Sequence, residues 1–163
     1  MEIEVRIRGL MMDPATSMPI VVLKDVASDA VMPIWVGIYE ANAIAIEIEK
    51  VAPPRPMTHD LTRNLLRHLD ARLEKVVITE LKNDTFYSML WLRRKNGEQM
   101  VVDARPSDAL ALALRSDCPI YVAENVMEQA RLNTSGPAES QASEQLRNWL
   151  EGLNDEDLGR YKM

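Results

Sequence analysis

The chain has 163 residues, 47% hydrophobic and 27% charged, with a net charge of −6. That is the balance of an ordinary globular protein with room for one core-bearing domain and an appendage. It excludes a membrane-spanning run of about 20 apolar residues and argues against tight, non-specific binding to phosphate backbones. Half of the net charge lies in residues 139–163, which hold six acids and three bases, so the body before them is nearly balanced and leaves room for a local basic groove.

"MEIEVRIRGL" alternates apolar Ile3, Val5 and Ile7 with charged residues from its second position. Period two predicts a strand with one wet face, and neither a signal nor a transit peptide, so a cytoplasmic protein is expected. "MPIVVLKD" and "VMPIWVG" read as two more strands, joined by "VASDA" as a hairpin. "IYEANAIAIEIEKV" is ambiguous: Ile44, Ile46 and Ile48 alternate as in a strand, whereas Ile38, Ala41, Ala45 and Ile48 fit a helix. Alanine content and the preceding Gly37 favour helix.

"VAPPRPM" stops that element, because proline lacks the N–H and clashes with the preceding turn. "THDLTRNLLRHLD" predicts a helix with Thr58 as N-cap, Asp60 in the first turn and an apolar stripe of Leu61, Leu65, Leu66 and Leu69. "LEKVVITELK", "DTFYSMLWLRR" and "EQMVVDA" form a three-strand meander with "ND" and "KNG" as turns. The middle strand is apolar on both faces, which calls for helices on both sides or a second subunit on one. Phe86 and Tyr87 read as core, because no basic interleaving makes them a base-stacking pair.

"RPSDALALALRSD" predicts a buried helix with Pro106 in its first turn and Ser107 or Asp108 as cap. "PIYV" is a short strand and "AENVMEQA" a short helix. The expected division is a domain over residues 1–131, a linker over 132–140 and an acidic helical tail over 141–163, where Leu146, Trp149, Leu150 and Leu153 share a helical face. Strands, helices, a meander and more helices make α+β: a mostly antiparallel sheet with helices packed on it, plus the C-terminal amphipathic helix.

Cys118 is the only cysteine, which rules out an intrachain disulfide and reads as a buried thiol. His59 and His68 lie nine apart and form no metal-binding pair on one helix face. Glu40, Asp60, Asp103 and Asp108 all fall near element ends; as oxygen ligands they would suit magnesium or manganese, and as caps they need no metal. Arg105 stands beside a helix start, where a guanidinium and free N–H groups suit an anion; the competing reading is an arginine that clamps Asp60 or Asp108. Ser107 reads as a cap, and His59 as the one candidate for proton transfer near neutral pH.

Three stretches carry a resemblance: "PIWVGIYEANAIA", "RPMTHDL" and "RPSDA". With "VVITELKNDTFYSMLWL" between them, the run from about Met1 to about Val126 resembles the bifunctional nuclease domain family. The resemblance implies a compact α+β domain, usually homodimeric. Plant relatives act on RNA and DNA, so either is an expected substrate. Matching the motifs gives Glu40, Arg55, His59, Asp60, Arg105, Ser107 and Asp108 as the polar residues of interest. The expected function is phosphodiester hydrolysis of RNA or DNA with divalent-metal assistance. In it Glu40, His59, Asp60 and Asp108 do the chemistry, and Arg55, Arg105 and Ser107 hold phosphate. The alternative is a non-catalytic homodimeric domain that regulates or binds an anion or a partner. "RPMTHDL" and "RPSDA" share a grammar of Arg-Pro, a short polar step and an Asp in the first turn. Two such helix starts are expected to converge on one anion pocket.

Overall fold

The computed structural model describes residues 1–133. Seven strands form one sheet in the order β3-β2-β1-β7-β4-β5-β6. The N-terminal strands β1 (Glu2–Met12), β2 (Pro19–Asp25) and β3 (Val31–Trp35) pair antiparallel, and so do β4 (Ala71–Lys82), β5 (Thr85–Arg94) and β6 (Gln99–Ala104). The two halves meet at β7 (Ile120–Ala123), antiparallel to β1 and parallel to β4. β7 is short, yet it can knit the sheet because Ile120 and Val122 are buried while its backbone bonds on both edges. The fold is α+β, as expected. Among the described residues no helix is long and apolar enough to cross a membrane.

The turn chemistry is local. Asn83 and Asp84 both take positive φ, 52° and 59°, the pair of values a two-residue hairpin of right-twisted strands needs. Gly97 takes φ 89° in the next turn, where its lack of a Cβ removes the strain.

α1 (Ile38–Ile48) is a helix, which resolves the ambiguous segment: Ala41, Ala43, Ile44 and Ala45 are buried. It ends where Lys50 turns left-handed (φ 56°) and the Val51 N–H bonds to the Ile46 carbonyl at 3.0 Å. Pro53, Pro54 and Pro56 then separate it from α2 (Thr58–His68). The cap differs from expectation. Met57 is the N-cap and Thr58 the first helical residue, while the Asp60 carboxylate reaches back to the Met57 N–H at 3.0 Å. In α3 (Pro106–Ser116) the N-cap is Arg105, so Pro106 rather than Ser107 or Asp108 opens the helix. α4 (Glu124–Asn133) runs two residues into the expected linker; the rest of the linker and the acidic tail with its Leu146–Leu153 stripe lie outside the described residues.

α3 is the buried helix: Ala109 through Ala113 are all within the core. α2 is not. Leu61, Leu65 and Leu69 are 51%, 53% and 70% exposed, and Leu66 alone of the expected stripe packs against the core. The residue that α2 buries is Asp60. β5 is covered on one side, by way of Ser88, Leu90 and Leu92. On its other side Tyr87, expected in the core, is exposed, and Met89 and Trp91 are half-buried.

The link between α2 and the body is therefore polar. The Arg115 side chain is fully buried; its Nε donates to Asp60 Oδ1 at 2.8 Å, Nη1 to the Ala111 carbonyl and Nη2 to the Ala43 carbonyl, both at 3.0 Å. One guanidinium thus ties α1, α2 and α3. Removing it strands a buried carboxylate and two carbonyls, so Arg115→Ala lowers the unfolding free energy by about 3–5 kcal/mol. Arg105→Ala, whose side chain is 66% exposed, costs less than about 1 kcal/mol. Urea denaturation of both variants checks the difference; equal losses would remove Arg115 from its role as the clamp.

Candidate functional site

The first turns of α1, α2 and α3 carry the site. Each has an acid at its third helical position: Glu40, Asp60 and Asp108. A carboxylate there meets the free N–H groups and positive end of its own helix. At α1 the Glu40 carboxyl lies over Gly37, in the space a Cβ at that N-cap would occupy. Glycine there leaves the carboxyl its place.

Asp108 is the hub. His59 Nε2 lies 2.9 Å from its Oδ1. Arg105 donates from Nε to Oδ2 at 2.9 Å and from Nη2 to Oδ1 at 3.3 Å. The same Nη2 reaches Glu40 Oε1 at 2.9 Å. The result is a chain, Glu40–Arg105–Asp108–His59, across three helix starts. Side-chain exposures of 18%, 66%, 31% and 14% in that order leave Arg105 as the member that faces solvent. Its Nη1 makes no hydrogen bond among the described residues, so two donors remain for an external oxygen.

Burial pushes the Asp108 carboxyl up, but hydrogen bonds from Arg105 and His59 and their charges more than offset it. Its pKa lies below the ordinary 3.8. Asp108 therefore stays ionised at neutral pH and orients the imidazole. With Nε2–H donating to Asp108, Nδ1 is left as the proton acceptor.

Of the residues expected at the site, Glu40, His59, Arg105 and Asp108 come together. Asp60 does not join them: it faces the other way, onto Arg115. Burial raises its pKa and the Met57 N–H and Arg115 lower it further, with the Arg63 charge beyond, so it too lies below 3.8. Arg55 is exposed, makes no ion pair with a described carboxylate, and lines a separate cleft with Lys50 and Arg63. Ser107 is buried, and its hydroxyl makes no hydrogen bond among the described residues. The two helix starts converge through His59 and Asp108, not through their arginines. The sequence motifs do not single out Arg115, although it stands seven residues after Asp108 on the same helical face. Cys118 is an inert thiol, pushed up to about 11 by burial.

Magnesium or manganese would need three or more oxygen donors facing one point. Among the described residues no such group of His, Cys, Asp and Glu forms, and Asp103 lies exposed on β6. Glu40 and Asp108 are bridged by the Arg105 guanidinium, which stands where a cation shared by the two carboxylates would. The donors present among the described residues do not fit a divalent ion.

Asp60 and Asp108 titrate lower in the folded chain than their ordinary value. The stability they contribute is complete above that value and is lost as pH falls through the lower folded values. Urea midpoints are thus expected to drop steeply below pH 3.8. Asp60→Asn, neutral at every pH, shows a shallower drop; an unchanged slope would sink this assignment for Asp60.

Comparison with known proteins agrees with this frame. Residues 21–135 match the model of the bifunctional nuclease domain. An uncharacterized protein of Mycobacterium tuberculosis is 38% identical over 163 residues, spanning 95% of this chain and 97% of its own length. Bifunctional nuclease 1 of Oryza sativa subsp. indica is 26% identical over 132 residues, covering 80% of this chain, which spans only 40% of that protein. The same figures hold for the bifunctional nuclease of Oryza minuta. With all three helix starts inside the matched region, the chain belongs to the bifunctional nuclease domain family.

Proposed function

We propose that the chain hydrolyses phosphodiester bonds in RNA or DNA, and that the chain of Glu40, Arg105, Asp108 and His59 performs the reaction. The observation that carries this is the 2.9 Å contact of His59 Nε2 with Asp108 beside the exposed Arg105 guanidinium. In this reading the Arg105 Nη1 donors hold a non-bridging phosphate oxygen. His59 Nδ1 takes a proton from a water molecule as its oxygen attacks phosphorus. The bond to the leaving strand oxygen breaks, and that oxygen takes the proton back from the imidazolium. Asp108 stabilises the imidazolium while it exists, and Glu40 holds Arg105 in place. Asp60 is a positioning residue: through Arg115 it fixes the α2 turn that carries His59. Family membership and the plant relatives' names support the same activity.

The test is cleavage of single-stranded RNA and DNA by purified protein, with and without magnesium or manganese. His59→Ala and Asp108→Ala are each expected to lose about 10²–10⁴-fold in rate. Cleavage that survives both would place the activity elsewhere or in a contaminant.

A non-catalytic domain is the rival, and one observation favours it: Glu40, Arg105 and Asp108 neutralise one another, as a purely structural network would. Wild-type protein without cleavage under all these conditions decides for the rival.

Either reading includes a homodimer. Edge strand β6 exposes Met100, Val101 and Val102 at 39%, 48% and 39%. An apolar edge with a free backbone row invites further pairing, and a second copy that extends the sheet closes it. Val101 lies opposite Trp91 and so shares the open face of β5, beside the edge that the second copy pairs with. Sedimentation is expected to give a dimer that Val101→Lys converts to monomer; a monomeric wild type ends this assignment.

A further inference from the structure

A cleft of about 390 Å³ opens between the end of α1 and the start of α2, and no member of the Glu40–Arg105–Asp108–His59 chain lines it. Its cations are Lys50, Arg55 and Arg63. None of the three is in an ion pair with a described carboxylate. The two acids at the cleft, Glu47 and Asp60, both turn to Arg115, at 3.9 Å and 2.8 Å from its Nε. Arg115 offsets one of these two charges from behind, so Lys50, Arg55 and Arg63 outnumber the negative charge that remains and the cleft is net positive.

Two further features point to an oxygen-rich ligand. Among the described residues Arg63 Nε is buried without a hydrogen-bond partner, and its Nη2 has only a 3.3 Å contact with the adjacent Asn64. A guanidinium so poorly satisfied favours any anion that reaches it through a small side-chain rotation. The backbone that presents Arg55 is stiffened by Pro53, Pro54 and Pro56, and Lys50 is held by the left-handed turn that ends α1. Arg55 and Lys50 are therefore mounted on fixed backbone. The wall between them is apolar, from Val51, Ala52 and the prolines, which suits the carbon face of a ribose or deoxyribose.

We propose that this cleft binds a backbone phosphate of a nucleic acid strand, with its sugar against the proline wall, apart from the phosphate that Arg105 holds. The assignment rests on the phosphodiesterase reading for its choice of ligand. The cleft would grip the strand while Asp60, which borders it, shares a helix turn with His59. It also accounts for how an acidic protein holds a polyanion: the charge that matters is local.

Binding is measured in the full chain carrying His59→Ala, so that cleavage plays no part. The probes are a single-stranded oligonucleotide and inorganic pyrophosphate. Oligonucleotide affinity is expected to fall in Arg55→Gln and in Arg63→Gln. The slope of log K against log salt should lose about 0.7 per cation removed. Arg55 is exposed, so its variant keeps the test free of folding effects. Oligonucleotide should also shift the NMR signal of the Arg63 Nε–H. Unchanged affinity and slope in both variants would overturn the cleft and leave the His59 reading intact. Pyrophosphate that binds while the oligonucleotide is indifferent to both substitutions would overturn the strand assignment in favour of a small-anion site. Oligonucleotide binding that depends on both arginines, in a protein whose wild type never cleaves, would uphold the cleft and refute the His59 chemistry.

Discussion

The arrangement depends on the buried pair of Asp60 and Arg115. α2 presents almost no apolar surface to the core, since Leu66 alone of its leucines packs inward. It cannot be held by the usual hydrophobic stripe. What holds it is a charge-assisted contact from which Arg115 also reaches carbonyls on α1 and α3. A buried ion pair is a poor source of net stability compared with packed apolar groups, but it is directional. Apolar packing would let α2 slide or rotate; three hydrogen bonds from one planar group do not. The turn holding His59 is thereby set against the turn holding Asp108.

The geometry of α3 explains why one helix can serve both contacts. Asp108 and Arg115 are seven residues apart, two turns on the same face, which places their Cα atoms about 10.5 Å apart along the axis. The adjacent pair His59–Asp60 has to span that distance. It does so because neighbouring helix residues point in different directions and because Arg115 is long. Its side chain runs back one turn toward the N-terminus of α3, so that Nη1 meets the Ala111 carbonyl. The two contacts thus fix both the position of α2 and its rotation.

Much of the fold was legible in the sequence, and the reasons are local. Period-two alternation marked β1, turn residues with left-handed tolerance marked the β4–β5 hairpin, and prolines marked the gap between α1 and α2. The location of β7 was not legible. A four-residue apolar run says "strand" but not that it will lie between the first and fourth strands, because that choice is made by long-range pairing. The Leu61–Leu65–Leu69 stripe misled for a related reason. Periodicity reports that a face is apolar, not what covers it. At the site, Glu40, His59, Arg105 and Asp108 stood out together with Arg55, Asp60 and Ser107 through the matched motifs, and the helix-start grammar pointed only to a convergence of the two Arg-Pro segments. The division of labour between the two aspartates was not legible: Asp60 and Asp108 sit at identical positions in their helices, and only the third dimension gives one a buried arginine and the other an exposed one.

That division bears on how chemistry can coexist with structure here. Both aspartates stand in the first turn at their helices' positive ends, Asp60 alone bonding a backbone N–H there, and both are held ionised well below neutral pH. What differs is the solvent access of the cation each one meets. Arg115 is sealed and spends its donors on protein, so Asp60 can only hold. Arg105 is open and keeps Nη1 uncommitted, so the carboxylates that anchor it also aim it outward. In the proposed phosphodiesterase, an arginine anchored at Nε and Nη2 by two carboxylates would lose little freedom on meeting a phosphate oxygen at Nη1, because it is already oriented. The neutralisation that favours a merely structural network is also what lets a guanidinium stand exposed in one geometry. Without Glu40 and Asp108, Arg105 would be one more mobile surface charge; with them, it is a fixed donor pair beside an imidazole whose tautomer is set.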